Sequence, residues 1–286
     1  MDCVPDTGRM DLNHSAGREL AGVDFTSRPT RRKPITVAHG HLAHAVVKLD
    51  RLDAHEHFDS FSTWLRTPGP WLAAFDFPFG LPRALVESLG WPREWLALAR
   101  HYISLSRADI RATFQAFCAA RPAGDKFAHR ACDAYSTASP SMKWVNPPVA
   151  FMLHAGVGLL LDAGVQISTL HPGDPQRIAL EGYPGLLARE LIGRRSYKSD
   201  TRAMQTEARR DARVELLRRL ERGDSRLGLA LALEPAQRRA LVDDGSADRL
   251  DAVLCLLQAA WASQRPNFGL PDDVDPLEGW IVSAVR

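Results

Sequence analysis

Three short apolar runs in this chain stop on an acid. Residues 20–25 carry Asp24, residues 71–77 carry Asp76, and residues 177–183 carry Glu181. Pro78, Gly80 and Pro82 follow the second at once, and Pro184 and Gly185 follow the third. An apolar run closed by such punctuation predicts a strand that delivers a carboxylate to its own C-terminal end. In open α/β sheets that edge is where ligands bind. Each acid taken alone also reads as a turn residue, since Asp is common where strands end. Two further β-rich runs, 35–38 and 43–49, are set off by SRPTRRKP and GHL, which predicts an antiparallel meander. Asp53 stands three residues before Glu56 in capping-box spacing, and Phe58, Phe61 and Leu65 then recur at helical spacing up to Thr67-Pro68-Gly69-Pro70. A helix there makes the 71–77 run parallel to an earlier strand, with both ends at one edge.

From residue 82 to about 148 the pattern is helical and irregular, with apolar stripes in WPREWLALARHYISL and ADIRATFQAFCAA. This reads as a helical insertion. It ends in a polar segment with His129, Arg130, Asp133 and Lys143 among small residues and prolines, the composition of a functional loop. Residues 146–164 form a nearly all-apolar helix suited to burial against the sheet, and 165–170 and 177–183 are strand candidates on either side of the HPGDP turn. Residues 186–192 and 201–222 continue as helices, the second dense in arginines interleaved with acids, the pattern of a solvated, self-supporting face. The last helix, 247–262, has Leu250, Val253, Leu254, Leu257 and Trp261 as its stripe. Asp251 falls about 100° off that stripe, with Asp248 one turn earlier. Asp248 suits the positive end of the helix dipole, whereas Asp251 lies beside core positions where a charge needs a partner.

Composition narrows the classes. With 36 Lys and Arg against 34 Asp and Glu, the net charge of +2 advertises no global basic field, so contact with nucleic acid requires a local patch. Cys3, Cys118, Cys132 and Cys255 form no C-x-x-C pair, which argues against a zinc ribbon or disulfide framework and fits a reducing, cytoplasmic setting. The first 18 residues lack the apolar core of a signal peptide and read as a flexible leader, leaving 19–286 as one domain with the insertion. The 149–161 stretch is too short to span a bilayer, so no membrane partner is expected.

Strand-end carboxylates in this number suggest a metal or acid/base site. The histidines His39, His41, His44, His55 and His57 would need fortunate loops to cage zinc. There is no P-loop, no dinucleotide-binding glycine motif and no serine nucleophile elbow.

GVDFT at 22–26, AFDFPFG at 74–80, HRACD at 129–133, EGYPG at 181–185, YK at 197–198, DRLDA at 248–252 and EGWI at 278–281 resemble, in order and placement, the domain of unknown function 429 family, a predicted nuclease group with a ribonuclease-H-like fold. DRLDA is also similar to the closing helix of bacterial Holliday-junction resolvases of that superfamily. The resemblance implies a five-stranded sheet in which three antiparallel strands join two parallel ones. It also implies carboxylates from the first strand, the fourth strand and the last helix meeting at one edge. The chemistry implied is phosphodiester hydrolysis with Mg²⁺ or Mn²⁺, two ions about 4 Å apart activating water and stabilising the leaving oxygen. Asp24 would bridge the ions, Asp76 and Asp251 would complete the sites, and Glu181 or Asp248 would hold a metal or orient water. Arg130, Lys143 and Lys198 would contact phosphate on a nucleic acid or nucleotide. Two other classes fit the same architecture: a non-catalytic nucleic-acid or protein adaptor, and an actin- or sugar-kinase-like ATP user. The second needs a phosphate-binding hairpin, and TSRPTRRKP has no glycine for one. Carboxylates farther apart than roughly 8 to 10 Å could not share such ions.

Overall fold

A computed structural model describes residues 18–285. The leader expected over residues 1–18 lies outside the described residues except for its last position. The chain opens with β1 (Glu19–Asp24), β2 (Ile35–Ala43) and β3 (Val46–His55), then α1 (Phe58–Leu65) and β4 (Trp71–Phe75). The segment read as a helical insertion contains α2 (Arg83–Ser88), α3 (Trp95–Ser104), α4 (Arg107–Ala119) and α5 (Ala131–Ser136), and α6 (Val149–Ala163) follows it. The remainder is β5 (Val165–Ile167), β6 (Asp174–Glu181), α7 (Pro184–Ile192), α8 (Glu207–Arg222), β7 (Ala230–Ala232), α9 (Pro235–Asp243) and α10 (Asp248–Ser263).

The strands form one mixed sheet of seven, in the order β5-β6-β4-β1-β2-β3-β7, rather than the five expected. β1, β2 and β3 pair antiparallel, while β4 runs parallel to both β1 and β6. The additional strands, β5 and β7, are short edges. The chain around β7 and α9, residues 227–243, contains an apolar LGLALAL run that the sequence reading passed over.

Helices cover both faces, which is why the central strands are apolar throughout instead of alternating. Leu20, Leu72, Ala74 and Leu180 face α7 to α10, and Ala21, Val23, Ala73 and Phe75 face α1 to α4 and α6. The helix expected over 201–222 begins at Glu207, after a short 3₁₀ turn. No described helix is long and apolar enough to cross a membrane.

Two local expectations are corrected. The β2–β3 turn sits at His44 and Ala45, with His44 at φ 57°, and Gly40 lies inside β2 at a bulge, so GHL is strand rather than turn. Asp53 lies in β3, which runs to His55, and α1 starts after His57 without a side-chain cap. Pairing with β2 out to His55 outweighs the capping pattern.

One close approach sets the geometry of the remainder. A Cβ on Gly22 would lie 2.0 Å from the Leu256 nitrogen and 2.1 Å from the Ala252 oxygen, so the backbone of α10 rests directly on β1. No rotamer change relieves a clash with backbone. Gly22→Ala is expected to cost about 3 kcal/mol or more, as severe overpacking does, read as a lowered urea midpoint.

Candidate metal centre

Asp24 is the last residue of β1, two residues beyond Gly22, and therefore faces α10 as Gly22 does. Asp76 follows β4 directly and keeps its register, its N–H donating to the Val23 carbonyl at 2.9 Å. On α10, Asp251 precedes the Ala252 that touches β1. The sheet and helix thus converge, and one carboxylate oxygen from each of Asp24, Asp76 and Asp251 lies within 4.8 Å of the others. Asp251 is fully buried, Asp24 nearly so, and Asp76 half-buried. The helix is buried on nearly all sides, so Asp251 is a core position rather than the edge of a stripe.

Such crowding raises the cost of charge. Burial, then the charges of Asp248, Asp251 and Asp76, holds the Asp24 carboxyl well above the usual carboxylate range. Burial pushes Asp76 up to about 7, the Asp251 and Glu181 charges adding to it against Lys198. Asp248 is raised chiefly by burial.

Two neighbours fix Asp251. The Tyr197 hydroxyl donates to Oδ1 at 2.6 Å, and the Lys198 ammonium pairs with Oδ2. Burial pulls the Lys198 ammonium down, but Asp251, Tyr197, Asp76 and Asp24 outweigh it and raise it well above the ordinary range. Asp248 stands at the rim, 3.9 Å from Lys33, which also pairs with Asp200.

The other residues singled out in the sequence separate from this set. Glu181 is buried and held by Arg130, whose Nη2 donates to Oε1 at 2.7 Å and Nη1 to Oε2 at 2.8 Å. The Phe79 N–H adds a third bond at 3.0 Å. Arg130 also binds Asp133 and the Glu278 carbonyl, so the pair ties the start of α5 to the sheet and to the C-terminal segment. Gly80 belongs to the same junction, because a Cβ there would lie 2.2 Å from the Leu277 oxygen. Lys143 is half-buried, with its N–H on the Pro140 carbonyl, and does not line the cavity beside the acids. Among the described residues no histidine joins the metal-competent group; His39 instead meets Glu19 at 2.6 Å and His41 meets Asp50 at 2.9 Å. In the arginine-rich helix Arg210, Arg218 and Arg219 are ion-paired, the last two on Glu215, while buried Arg213 bonds the Val242 and Tyr197 carbonyls.

A cavity of about 810 Å³ opens beside Asp76 and Glu181. Phe77, Tyr183, Pro147 and Met152 give it apolar walls, and Arg189, Arg194, Arg195 and Lys198 bring positive charge. Arg194, Arg195 and Lys33 were not singled out in the sequence, and Tyr197 appeared there only within the YK motif, with no role of its own. The Arg194-Arg195 doublet just before YK was the available signal for two of them.

The chain belongs to the family described as protein of unknown function (DUF429), which matches residues 22–275. No curated protein and no solved structure matches it.

The raised Asp76 carboxyl has a sign that can be checked. With a folded value of about 7 against about 3.9 unfolded, the native state holds more protons between those limits, so it loses stability as pH rises through them. In EDTA, Asp76→Asn is expected to melt above the parent near pH 8, and the difference should shrink towards zero near pH 4. Thermal melts across pH decide this, and a gap that widens on acidification would contradict it.

Proposed function

We propose that this protein is a divalent-metal-dependent phosphodiester hydrolase on a ribonuclease-H-like sheet, acting on a nucleic acid or nucleotide. The observation that carries the reading is the convergence of Asp24, Asp76 and Asp251 within 4.8 Å at the C-terminal strand edge. Three carboxylates crowded together, two of them buried and one half-buried, have a large unmet demand for positive charge, and Lys198 on Asp251 meets only part of it. Their donors are all oxygens, with no thiol or imidazole, which suits Mg²⁺ or Mn²⁺ better than zinc. The inner strand order β3-β2-β1-β4-β6, three antiparallel strands joined to two parallel ones, supports the fold-level comparison.

Asp24, Asp76 and Asp251 would hold the metal, with Asp248 at the rim as a further oxygen donor. The ion would supply Lewis-acid charge to a phosphoryl oxygen and to the attacking water. Tyr197 and Lys198 orient Asp251, and Lys198 is the nearest protein cation to the triad that also faces the cavity. Arg130 acts at one remove, keeping Glu181 and the cavity wall in place.

Asp24→Asn and Asp76→Asn are expected to lower Mn²⁺-dependent cleavage of a DNA, RNA and nucleotide panel about a thousandfold, the scale of several kcal/mol of lost charge stabilisation. Circular dichroism should be unchanged. No cleavage by the parent in Mg²⁺ or Mn²⁺ would end the proposal. An adaptor is the remaining reading if a ligand still binds both variants and the parent as tightly.

A further inference from the structure

The loop between β1 and β2 carries Arg28, Arg31, Arg32 and Lys33 within six residues of sequence. It leaves the sheet directly after Asp24, at the edge where the carboxylates meet. Lys33 is committed to Asp200 and Asp248. Arg28, Arg31 and Arg32 are exposed and form no ion pair among the described residues. The loop is nonetheless fixed in place. Thr30 and Lys33 exchange backbone hydrogen bonds at 3.0 and 3.1 Å, and Arg107 of α4 donates to the Ser27 carbonyl at 2.6 Å. Three cations are therefore held together at the active edge without partners of their own.

Strand order gives their direction. Along β6-β4-β1-β2 the edge presents Glu181, Asp76, Asp24 and then this loop. The cavity lies at the Glu181 and Asp76 end, with Arg194 and Arg195 exposed beside it and likewise without ion pairs among the described residues. Positive charge thus flanks the acids on both sides, although the molecule as a whole is near neutral. The two flanks differ in shape. The cavity is concave, about 810 Å³, and presents half-buried Tyr183, whose ring packs over Gly185. A pocket of this size suits one or two nucleotides rather than a duplex, and an aromatic ring in it is a platform for a base. The loop is an open surface suited to backbone phosphates only.

We infer that the ligand is a single-stranded polynucleotide longer than the cavity. One end enters past Arg194 and Arg195 towards Tyr183, a phosphate crosses the carboxylates, and the continuing strand lies on Arg28, Arg31 and Arg32. This rests on the hydrolase reading for the role of the acids, but the track itself is a binding property.

The test measures binding apart from turnover. Fluorescence anisotropy in Ca²⁺ would compare labelled dT12, rU12, a dinucleotide and a twelve-pair duplex over a salt series, with the parent, R31E/R32E, the milder R31Q/R32Q, and R194E/R195E. One of the single strands is expected to bind at least tenfold more tightly than the dinucleotide or the duplex. R31E/R32E and R31Q/R32Q should weaken that strand, the first at least tenfold, and flatten its log–log salt slope by about 1.4, the share of two lost phosphate contacts. Dinucleotide binding should be unchanged by them and lost in R194E/R195E. The inference is overturned if the dinucleotide binds as tightly as either strand, if duplex binds best, or if neither loop variant alters affinity or slope. Arginine-dependent strand binding without any cleavage would sink the hydrolase reading and leave the track. Dinucleotide cleavage indifferent to the loop variants would do the reverse.

Discussion

Everything at the carboxylate edge depends on how closely α10 lies against β1. The contact is backbone to backbone at Gly22, where even a methyl group has no room. Once it is made, the repeat of each element dictates the rest. Two residues along β1 the same face presents Asp24, and the helical turn that meets Gly22 with Ala252 brings Asp251 alongside. β4, parallel to β1 and in register from Glu19 with Trp71 to Val23 with Phe75, adds Asp76 one step further on. A side chain at position 22 would push the helix off the sheet and separate carboxylates that come from points 227 residues apart in sequence.

The fold treats its strand-end acids in two opposite ways. Glu181 receives a bidentate guanidinium, a backbone N–H and a nearly complete loss of solvent, the arrangement of a buried structural ion pair. Removing either partner of such a pair leaves a buried charge unmatched, at a cost of about 3–5 kcal/mol. Asp24 and Asp76, on the neighbouring strands, have each other and Asp251 instead, and burial drives their carboxyls upward. That crowding opposes folding above the ordinary carboxylate range. Burial raises the Glu181 carboxyl too, against Arg130, but a fold that pairs one acid with a guanidinium and crowds the next three together gathers its like charge at one place, and a bound cation would relieve it.

The same contrast explains how much was legible in sequence. The strands ending in Asp24, Asp76 and Glu181, the meander, the crossover and the closing helix all follow from apolar runs and their punctuation. Those signals are local, and the corresponding elements form where they predict, although the closing helix is buried on nearly all sides rather than along one stripe. Asp24 and Asp76 stood out because each ends such a strand, whereas Asp251 was grouped with them through the family resemblance of DRLDA. Glu181 has the same local signature as Asp76, and its different fate is decided by Arg130, 51 residues away at the start of α5. No spacing rule reports that. The failed capping box at Asp53 and the misplaced turn at Gly40 have a similar cause, since β2 and β3 extend their pairing past the local signals. β7 was missed because a three-residue edge strand is too short to show a period.

Net charge was the weakest guide of all. A balance of +2 over 286 residues describes a sum, and ligands respond to its distribution. Half of the arginines in α8 are paired within the protein, on Glu207 and Glu215 of the same helix and on Asp243 nearby. The arginines without such partners include Arg31 and Arg32 on one flank of the carboxylates and Arg194 and Arg195 on the other. With a salt-screening length of about 8 Å, each flank is felt locally whatever the total. The carboxylates between them would repel a phosphate unless a cation intervenes. On the proposed reading that makes metal binding a precondition for the anionic ligand to cross the edge, while the arginines let its two ends bind on either side. A near-neutral protein can therefore be selective for a strand that reaches both flanks, because neither flank alone supplies much affinity.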